Sequence, residues 1–371
     1  MIRIGITGQS GFVGTHLYNF LGLQENVERI PFNDSFFSDK QKLQNFVKSC
    51  DAIVHLSAMN RHNDPAVIYK TNIALVKSLI DAMETENVTP HVLFSSSTQE
   101  ERDNPYGKSK REGRELFIKW AEINNAKFTG LVIPNVFGPF GKPYYNSVVA
   151  TFSHQLTHNE NPKIDVDGQM KLIYVHELVK TIYNAISTNE SNYEYKIAHS
   201  SETKVSDLLK QLENFKHSYL DHGIFPELKN DFDRNLFNTF RCYIDQESFY
   251  PYLLKQHTDD RGSFVETIKA KVGGQVSFST TRPGVTRGNH FHTRKIERFA
   301  VIKGKAKIEM RKVGTDKILS FELNGDSPSF VDMPIWYTHN ITNIGEDDLY
   351  TIFWINEFFD PNDPDTFFEK V

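Results

Sequence analysis

Apolar and polar positions change rhythm once along this chain. In the first part, short apolar runs alternate with segments whose apolar residues recur every three or four positions. The run Arg3-Ile4-Gly5-Ile6 predicts a first strand, and further strands are predicted at 27–32, 52–56, 91–95 and 128–132. Residues 68–83 predict a helix with Ile73, Val76, Leu79 and Ile80 on one face, and another helix follows Gly14. Repeated strand–helix units imply an α/β fold with a doubly wound parallel sheet.

After about residue 245 the texture becomes β-rich. Runs at 275–280, 297–302, 305–310 and 349–354 are separated by turn signals at Pro283-Gly284, Lys303-Gly304, Asn324-Gly325 and Gly345-Glu346. Short strands at such spacing suggest an all-β sandwich or barrel. The stretch from about 205 to 250 predicts helices and a linker. The expected domains are therefore 1–245 and 246–371.

Composition narrows the class without changing this division. The 371 residues are 39% hydrophobic and 24% charged, which excludes a disordered or fibrous chain. The net charge of -5 is not gathered into blocks, so nothing points to nucleic acid or a membrane surface as partner. Cys50 and Cys242 stand in no repeated spacing, which argues against a disulfide framework or a thiolate zinc site. The opening MIRIGITG reads as a strand and not as a cleavable signal, and no apolar run approaches membrane-spanning length. The expected compartment is the cytoplasm.

Gly8-Gln9-Ser10-Gly11-Phe12-Val13-Gly14 directly follows the first strand and opens a helix. Glycines there let the backbone approach a pyrophosphate whose charge the helix N-terminus stabilises. Gly8, Gly11, Phe12, Val13 and Gly14 are thus expected at a dinucleotide cofactor. Tyr106-Gly107-Lys108-Ser109-Lys110 puts Tyr106 and Lys110 on one helix face. An ammonium there favours the phenolate, so Tyr106 is expected to exchange a proton near neutral pH. Lys110 is also expected to hold the nicotinamide ribose.

With Ser95-Ser96-Ser97 closing the fourth strand, these motifs resemble the extended short-chain dehydrogenase/reductases that act on nucleotide-activated sugars. Further matching pieces are His55-Leu56-Ser57-Ala58, Asn72, Ile133-Pro134-Asn135-Val136-Phe137-Gly138-Pro139, Asp167-Gly168 and Tyr174-Val175-His176-Glu177-Leu178. The resemblance implies Ser97 as hydrogen-bond partner of the substrate oxygen, Tyr106 as acid/base, Lys110 as its modulator and Asn135 near the substrate. Two departures stand out. The stretch between Ser97 and Tyr106 is shorter than such proteins usually carry. Thr98 and Gln99 stand where sugar 4,6-dehydratases have an acidic pair, so a reductase or epimerase fits better than a dehydratase. For coenzyme choice, Asp34 lies where an acid grips a ribose 2′-hydroxyl or is simply solvated, and Arg61 is either a 2′-phosphate contact or a surface arginine.

In the rear part, Gly284, His290, His292, Glu297 and Gly304 precede a second cluster, Pro334-Ile335-Trp336-Tyr337-Thr338-His339-Asn340-Ile341-Thr342-Asn343. His290 and His292 alternate by two and share a strand face. With Glu297 and His339 they make a donor set suited to Zn, Mn, Fe or Ni. The whole pattern resembles the cupin superfamily. Asp259-Asp260-Arg261-Gly262-Ser263-Phe264-Val265-Glu266 and the segment around His290 also resemble sugar 3,5-epimerases, in which a histidine at this place is the base; alternatively Asp259–Glu266 is a strand-entry turn with an internal Arg–Asp pair. His290 thus stands as metal ligand or base, and His257, Lys271 and Tyr337 are further candidate bases.

From end to end the chain resembles a family of bifunctional capsular-polysaccharide enzymes. That resemblance implies NADP(H), one zinc ion in the cupin and a homodimer. It implies reduction of UDP-2-acetamido-2,6-dideoxy-β-L-arabino-hexos-4-ulose to UDP-N-acetyl-6-deoxy-L-talose, on the route to UDP-N-acetyl-L-fucosamine, with C3 epimerisation in the cupin. Alternatives are a reductase whose cupin is a structural or dimerising metal module, and a nucleotide-sugar 4-epimerase.

Overall fold

The computed structural model describes residues 1–260 and 262–371, which form two compact units. One comprises Met1–Val148 and Val166–Val205; the other comprises Val149–Asp165 and Ser206–Val371. The second unit therefore takes in the helical stretch that precedes the β-rich texture. Among the described residues no helix is long and apolar enough to cross a membrane.

The first unit runs β1 (Ile2–Thr7), α1 (Phe12–Leu21), β2 (Val27–Ile30), α2 (Lys40–Lys48), β3 (Ala52–His55), α3 (Pro65–Thr85), β4 (His91–Ser97), α4 (Pro105–Asn124) and β5 (Phe128–Ile133). Then come β6 (Asn135–Phe137), α5 (Val148–Thr157), which belongs almost wholly to the second unit, β7 (Gln169–Tyr174), α6 (Val175–Thr188), β8 (Asn192–Lys196) and β9 (Ser201–Lys204). Six parallel strands order as β2-β1-β3-β4-β5-β8, so the order reverses between β1 and β3. β3 and β5 are buried at every position, as expected of parallel strands covered on both faces. The second strand stops at Ile30, short of the expected 32, because Pro31 has no N–H for the ladder. Phe32 instead packs edge-on against Phe36, Phe37 and Phe46.

After α5, the second unit continues with α7 (Val205–Phe215), β10 (Ile224–Phe225), α8 (Asp231–Arg241) and α9 (Gln246–Phe249). The strands β11 (Tyr252–Leu253), β12 (Gln256–Asp259), β13 (Gly262–Val265), β14 (Lys269–Ala270), β15 (Gln275–Thr281), β16 (Thr286–Phe291), β17 (Glu297–Lys303) and β18 (Lys305–Lys312) follow. They continue as β19 (Ile318–Asn324), β20 (Ser329–Met333), β21 (Tyr337–Asn343), β22 (Leu349–Ile355) and β23 (Phe367–Phe368). Two five-stranded antiparallel sheets result, β11-β20-β17-β22-β15 and β19-β18-β21-β16-β23. Phe299, Val301, Ile308, Met310, Phe321 and Ile341 belong to one core cluster drawn from both sheets. The segment before the two sheets attaches through aromatic contacts, with Phe225 of β10 stacked on Trp354 of β22 at 4.4 Å. A buried ion pair joins β17 to β20, Arg298 Nε to Asp332 Oδ1 at 2.7 Å, and the Tyr219 hydroxyl donates to the same carboxylate at 2.5 Å. The proposed Arg–Asp pair of the turn between β12 and β13 involves Arg261, which lies outside the described residues.

Candidate active site and metal centre

The carboxyl ends of β1, β3 and β4 converge where the strand order reverses, the usual crevice of an open α/β sheet. Gly8 sits there at φ 73°, and a Cβ on it would lie 2.8 Å from the Ser57 nitrogen. A Cβ on Gly14 would lie 2.1 Å from the Gly8 carbonyl oxygen, so this glycine lets α1 close against its own loop. Gly11 is exposed and caps α1 with no side-chain hydrogen bond, whereas Asp39, Asn104 and Asp64 cap α2, α4 and α3 with theirs. The first turn of α1, which contains Phe12 and Val13, therefore presents free N–H groups to an anion. The residues present fit a dinucleotide pyrophosphate. Asp34 lies beside this loop and accepts from the Ser10 hydroxyl at 3.3 Å. Arg61 is exposed and donates to the Tyr144 carbonyl at 3.1 Å.

Ser97 ends β4, and its hydroxyl accepts from the Gln99 N–H at 3.2 Å. Tyr106 lies in the first turn of α4, which Pro105 and the Asn104 cap start. Lys110 is fully enclosed one turn on; its ammonium donates to the Ser95 carbonyl at 2.7 Å and sits 5.6 Å from the Tyr106 ring centre. Burial pushes Lys110 down to about 7. Tyr106 departs from the sequence expectation: burial, then the neighbouring Tyr145, push its phenol up to about 12 instead of toward neutrality. Loss of water around the phenol outweighs any pull from the Lys110 ammonium, 5.6 Å from the ring centre. Asn135 is exposed at the start of β6.

Two supporting groups carried no role in the sequence reading. The Asn72 amide accepts from the Met59 N–H at 2.7 Å and donates to the Ser109 hydroxyl at 3.0 Å, and Ser109 donates to the Tyr106 carbonyl at 2.7 Å. It thereby ties the loop after β3 to the start of α4. Glu100 is buried, pairs with Arg114 at 2.6 Å and accepts from the Ser96 hydroxyl. This acid lies close to Thr98 and Gln99 in sequence but is engaged in holding the short segment between Ser97 and Tyr106. Neither contact has a local sequence signal, because each partner lies on another element. Both cysteines are free, and burial pushes their thiols up to about 12.

In the second unit the ligating atoms of His290, His292, Glu297 and His339 all lie within 4.8 Å of one another. His290 and His339 face each other across β16 and β21, and Glu297 starts β17 in the other sheet. The strand ends at Phe291, so His292 stands just beyond it and not within it as alternation implied. Its ring still lies 5.0 Å from that of His290. One Glu297 oxygen meets Nε2 of both His292 and His339 at 3.1 Å. Nδ1 of His292 donates to the Asp365 carbonyl at 2.6 Å, and Nδ1 of His339 to the Tyr337 carbonyl at 3.1 Å, which frees each Nε2 for a cation. Burial works against the Glu297 charge, but its bonds to His292 and His339 hold the carboxyl well below the usual range. His290, the least buried of the four, is pushed down to about 4 by burial and then by His339. Three neutral-capable imidazoles and one carboxylate fit a borderline divalent metal. Asn343 closes the second motif structurally, donating to the Thr281 and Asp347 carbonyls. His257 and Lys271 are exposed, and half-buried Tyr337, whose phenol burial raises, lines a cavity with Lys312 and Leu319; none of the three belongs to the cluster.

Residues 4–198 match the NAD dependent epimerase/dehydratase family, and residues 257–367 match the polysaccharide biosynthesis C-terminal domain. The chain is 33% identical to the UDP-2-acetamido-2,6-beta-L-arabino-hexul-4-ose reductase of Pseudomonas aeruginosa strain PA103, over 99% of this chain and 98% of that one. It is 35% identical to the capsular polysaccharide assembling protein CapF from Staphylococcus aureus, with a TM-score of 0.64 and full coverage of both chains. Over 58% of its length the chain also resembles in fold RMD from Pseudomonas aeruginosa complexed with NADPH, at 20% identity and a TM-score of 0.53, covering 83% of that chain. The architecture is thus a Rossmann-type extended reductase fold followed by a cupin-type barrel.

Proposed function

The chain belongs to the NAD dependent epimerase/dehydratase family, and from that membership we propose that it reduces the C4 ketone of a UDP-linked 4-keto-6-deoxy-N-acetylhexosamine with NADPH in capsular polysaccharide synthesis. The near-full-length reductase relative supports this substrate class. The observation that carries it is the pairing of an uncapped α1 N-terminus after β1 with Ser97, Tyr106 and Lys110 at and after the end of β4, the two strands flanking β3. When bound, NADPH supplies the reducing equivalent at C4. Gly8, Gly11, Phe12, Val13 and Gly14 would hold its pyrophosphate, Lys110 its ribose, and Arg61 a 2′-phosphate. Ser97 would orient the ketone oxygen, with Asn135 beside the sugar. A Tyr106 phenol raised to about 12 stays protonated at physiological pH, which suits an acid that must deliver a proton to the C4 oxygen.

The functional partition proposed is a reductase over 1–245 and a cupin over 246–371. In the cupin, His290, His292, Glu297 and His339 would hold zinc, and the metal when bound would polarise a sugar carbonyl. A ketone at C4 acidifies the C3 proton, so inversion at C3 followed by reduction gives UDP-N-acetyl-6-deoxy-L-talose. The exposure of His257 and Lys271, outside the cluster, favours a second reading in which the cupin is a structural or dimerising module. We place the chain in the cytoplasm as a homodimer.

Stoichiometry tests the reductase reading. Mixing protein, NADPH and the 4-keto sugar is expected to oxidise one NADPH per sugar, followed by absorbance. A 4-epimerase recycling a bound coenzyme oxidises none, and that result would overturn the proposal.

A further inference from the structure

The last residues of the chain fold back over the metal cage. Asp365 is buried and adopts a left-handed backbone conformation, φ 39°, which aspartate tolerates better than most residues. One carboxylate oxygen accepts from the Thr293 N–H at 3.0 Å and the Thr293 hydroxyl at 2.6 Å. The other accepts from the N–H groups of Arg294 and Lys295, each at 3.0 Å. The carbonyl of the same residue takes Nδ1–H of His292. Beyond it, β23 pairs with His290 and Phe291 of β16, and Phe367 stacks on Phe291 at 5.3 Å.

A buried carboxylate with four donors from one three-residue loop is a costly group to place unless the loop must be fixed. That loop separates His292 from Glu297, so fixing it fixes the distance between two ligands. The two histidines with Nδ1–carbonyl bonds differ instructively. His339 is oriented from within its own strand, by Tyr337. His292 is oriented by a residue from the far end of the chain.

We propose that the C-terminal segment, with Asp365 at its centre, is a clasp that positions His292 and retains the metal. Release of the clasp frees the His292 ring to turn and lets the metal leave. The proposal rests on reading the four-residue cluster as a metal site.

Zinc-loaded full-length protein, challenged with excess chromogenic chelator, tests it. Asp365→Ala keeps the carbonyl that takes His292 but removes the carboxylate that fixes it and the loop. It is expected to release zinc on the order of 10-fold faster than wild type, the low end of the effect of losing an outer partner of a metal ligand. Thr293→Val, which removes a single donor, is expected to speed release by a smaller factor. Cobalt bound in place of zinc is expected to show a shifted visible spectrum in Asp365→Ala. The cage itself is judged separately: wild type that takes up no zinc, or His339→Ala that retains it fully, removes the metal reading and the clasp with it. Where the cage holds zinc, folded Asp365→Ala with wild-type release and spectrum overturns the clasp alone. Where Asp365→Ala does not fold, wild-type release from Thr293→Val overturns it.

Discussion

The two units ready their sites in opposite ways. In the first, the groups that matter are paired with neutral partners or with none: α1 begins without a side-chain cap, and buried Lys110 donates to the Ser95 carbonyl and hydroxyl, with no ion pair among the described residues. In the second, the ligands are braced: His292 through the Asp365 carbonyl, His339 through that of Tyr337, and Glu297 through the one oxygen that meets both imidazoles. A site that waits for a large polyanionic coenzyme keeps donors free. A site that must hold a small cation spends its surroundings on aiming lone pairs.

The largest effect expected from breaking this contrast is at the free-donor site. Tyr106→Phe should lower the reduction rate on the order of 10²–10⁴-fold, with NADPH affinity little changed; a rate within a few-fold of wild type removes Tyr106 from the chemistry. Glu100→Ala comes next, because it leaves half-buried Arg114 without its carboxylate and the Ser96 hydroxyl without its acceptor. Unfolding free energy should fall by about 3–5 kcal/mol, whereas Asp103→Ala, at an exposed pair with Lys108, should cost under about 1 kcal/mol.

Lys110→Met sharpens the same point from stability. The folded Lys110 value of about 7 lies below its ordinary 10.5, so the unfolded chain binds that proton more readily. Burial therefore costs stability increasingly as pH falls below about 10.5, and fully below about 7. The variant should be more stable than wild type at pH 6, by an amount on the order of a few kcal/mol, and the gain should vanish near pH 11. Denaturant melts at the two pH values decide it; a gain independent of pH contradicts the assignment. The smallest effect is expected from stripping zinc with a chelator, which should leave NADPH binding by the first unit within about twofold, a difference well below 1.4 kcal/mol.

The sheet, the glycine loop and the Tyr106/Lys110 spacing were legible because each is a local pattern set by one element. So was the cluster of His290, His292, Glu297 and His339, since the HxH and the later histidine motif mark it in sequence. What escaped was set by burial or by distance. The direction of the Tyr106 shift depends on how deeply its own phenol is enclosed and on Tyr145 beside it. The Glu100–Arg114 pair and the Asp365 clasp join elements whose meeting no local pattern announces. The stop of β2 at Ile30 was readable from Pro31, had its missing donor been weighed.

The central claim is that two separable sites work on one ketosugar. The most direct measurement is Tyr106→Phe, with zinc, NADPH and the UDP-4-keto-6-deoxy-N-acetylhexosamine in D2O, read by NMR at C3 and by absorbance for NADPH. Deuterium entering C3 while NADPH stays unoxidised is the expected result. Rapid NADPH oxidation by this variant, or a C3 position that stays free of deuterium, would contradict it.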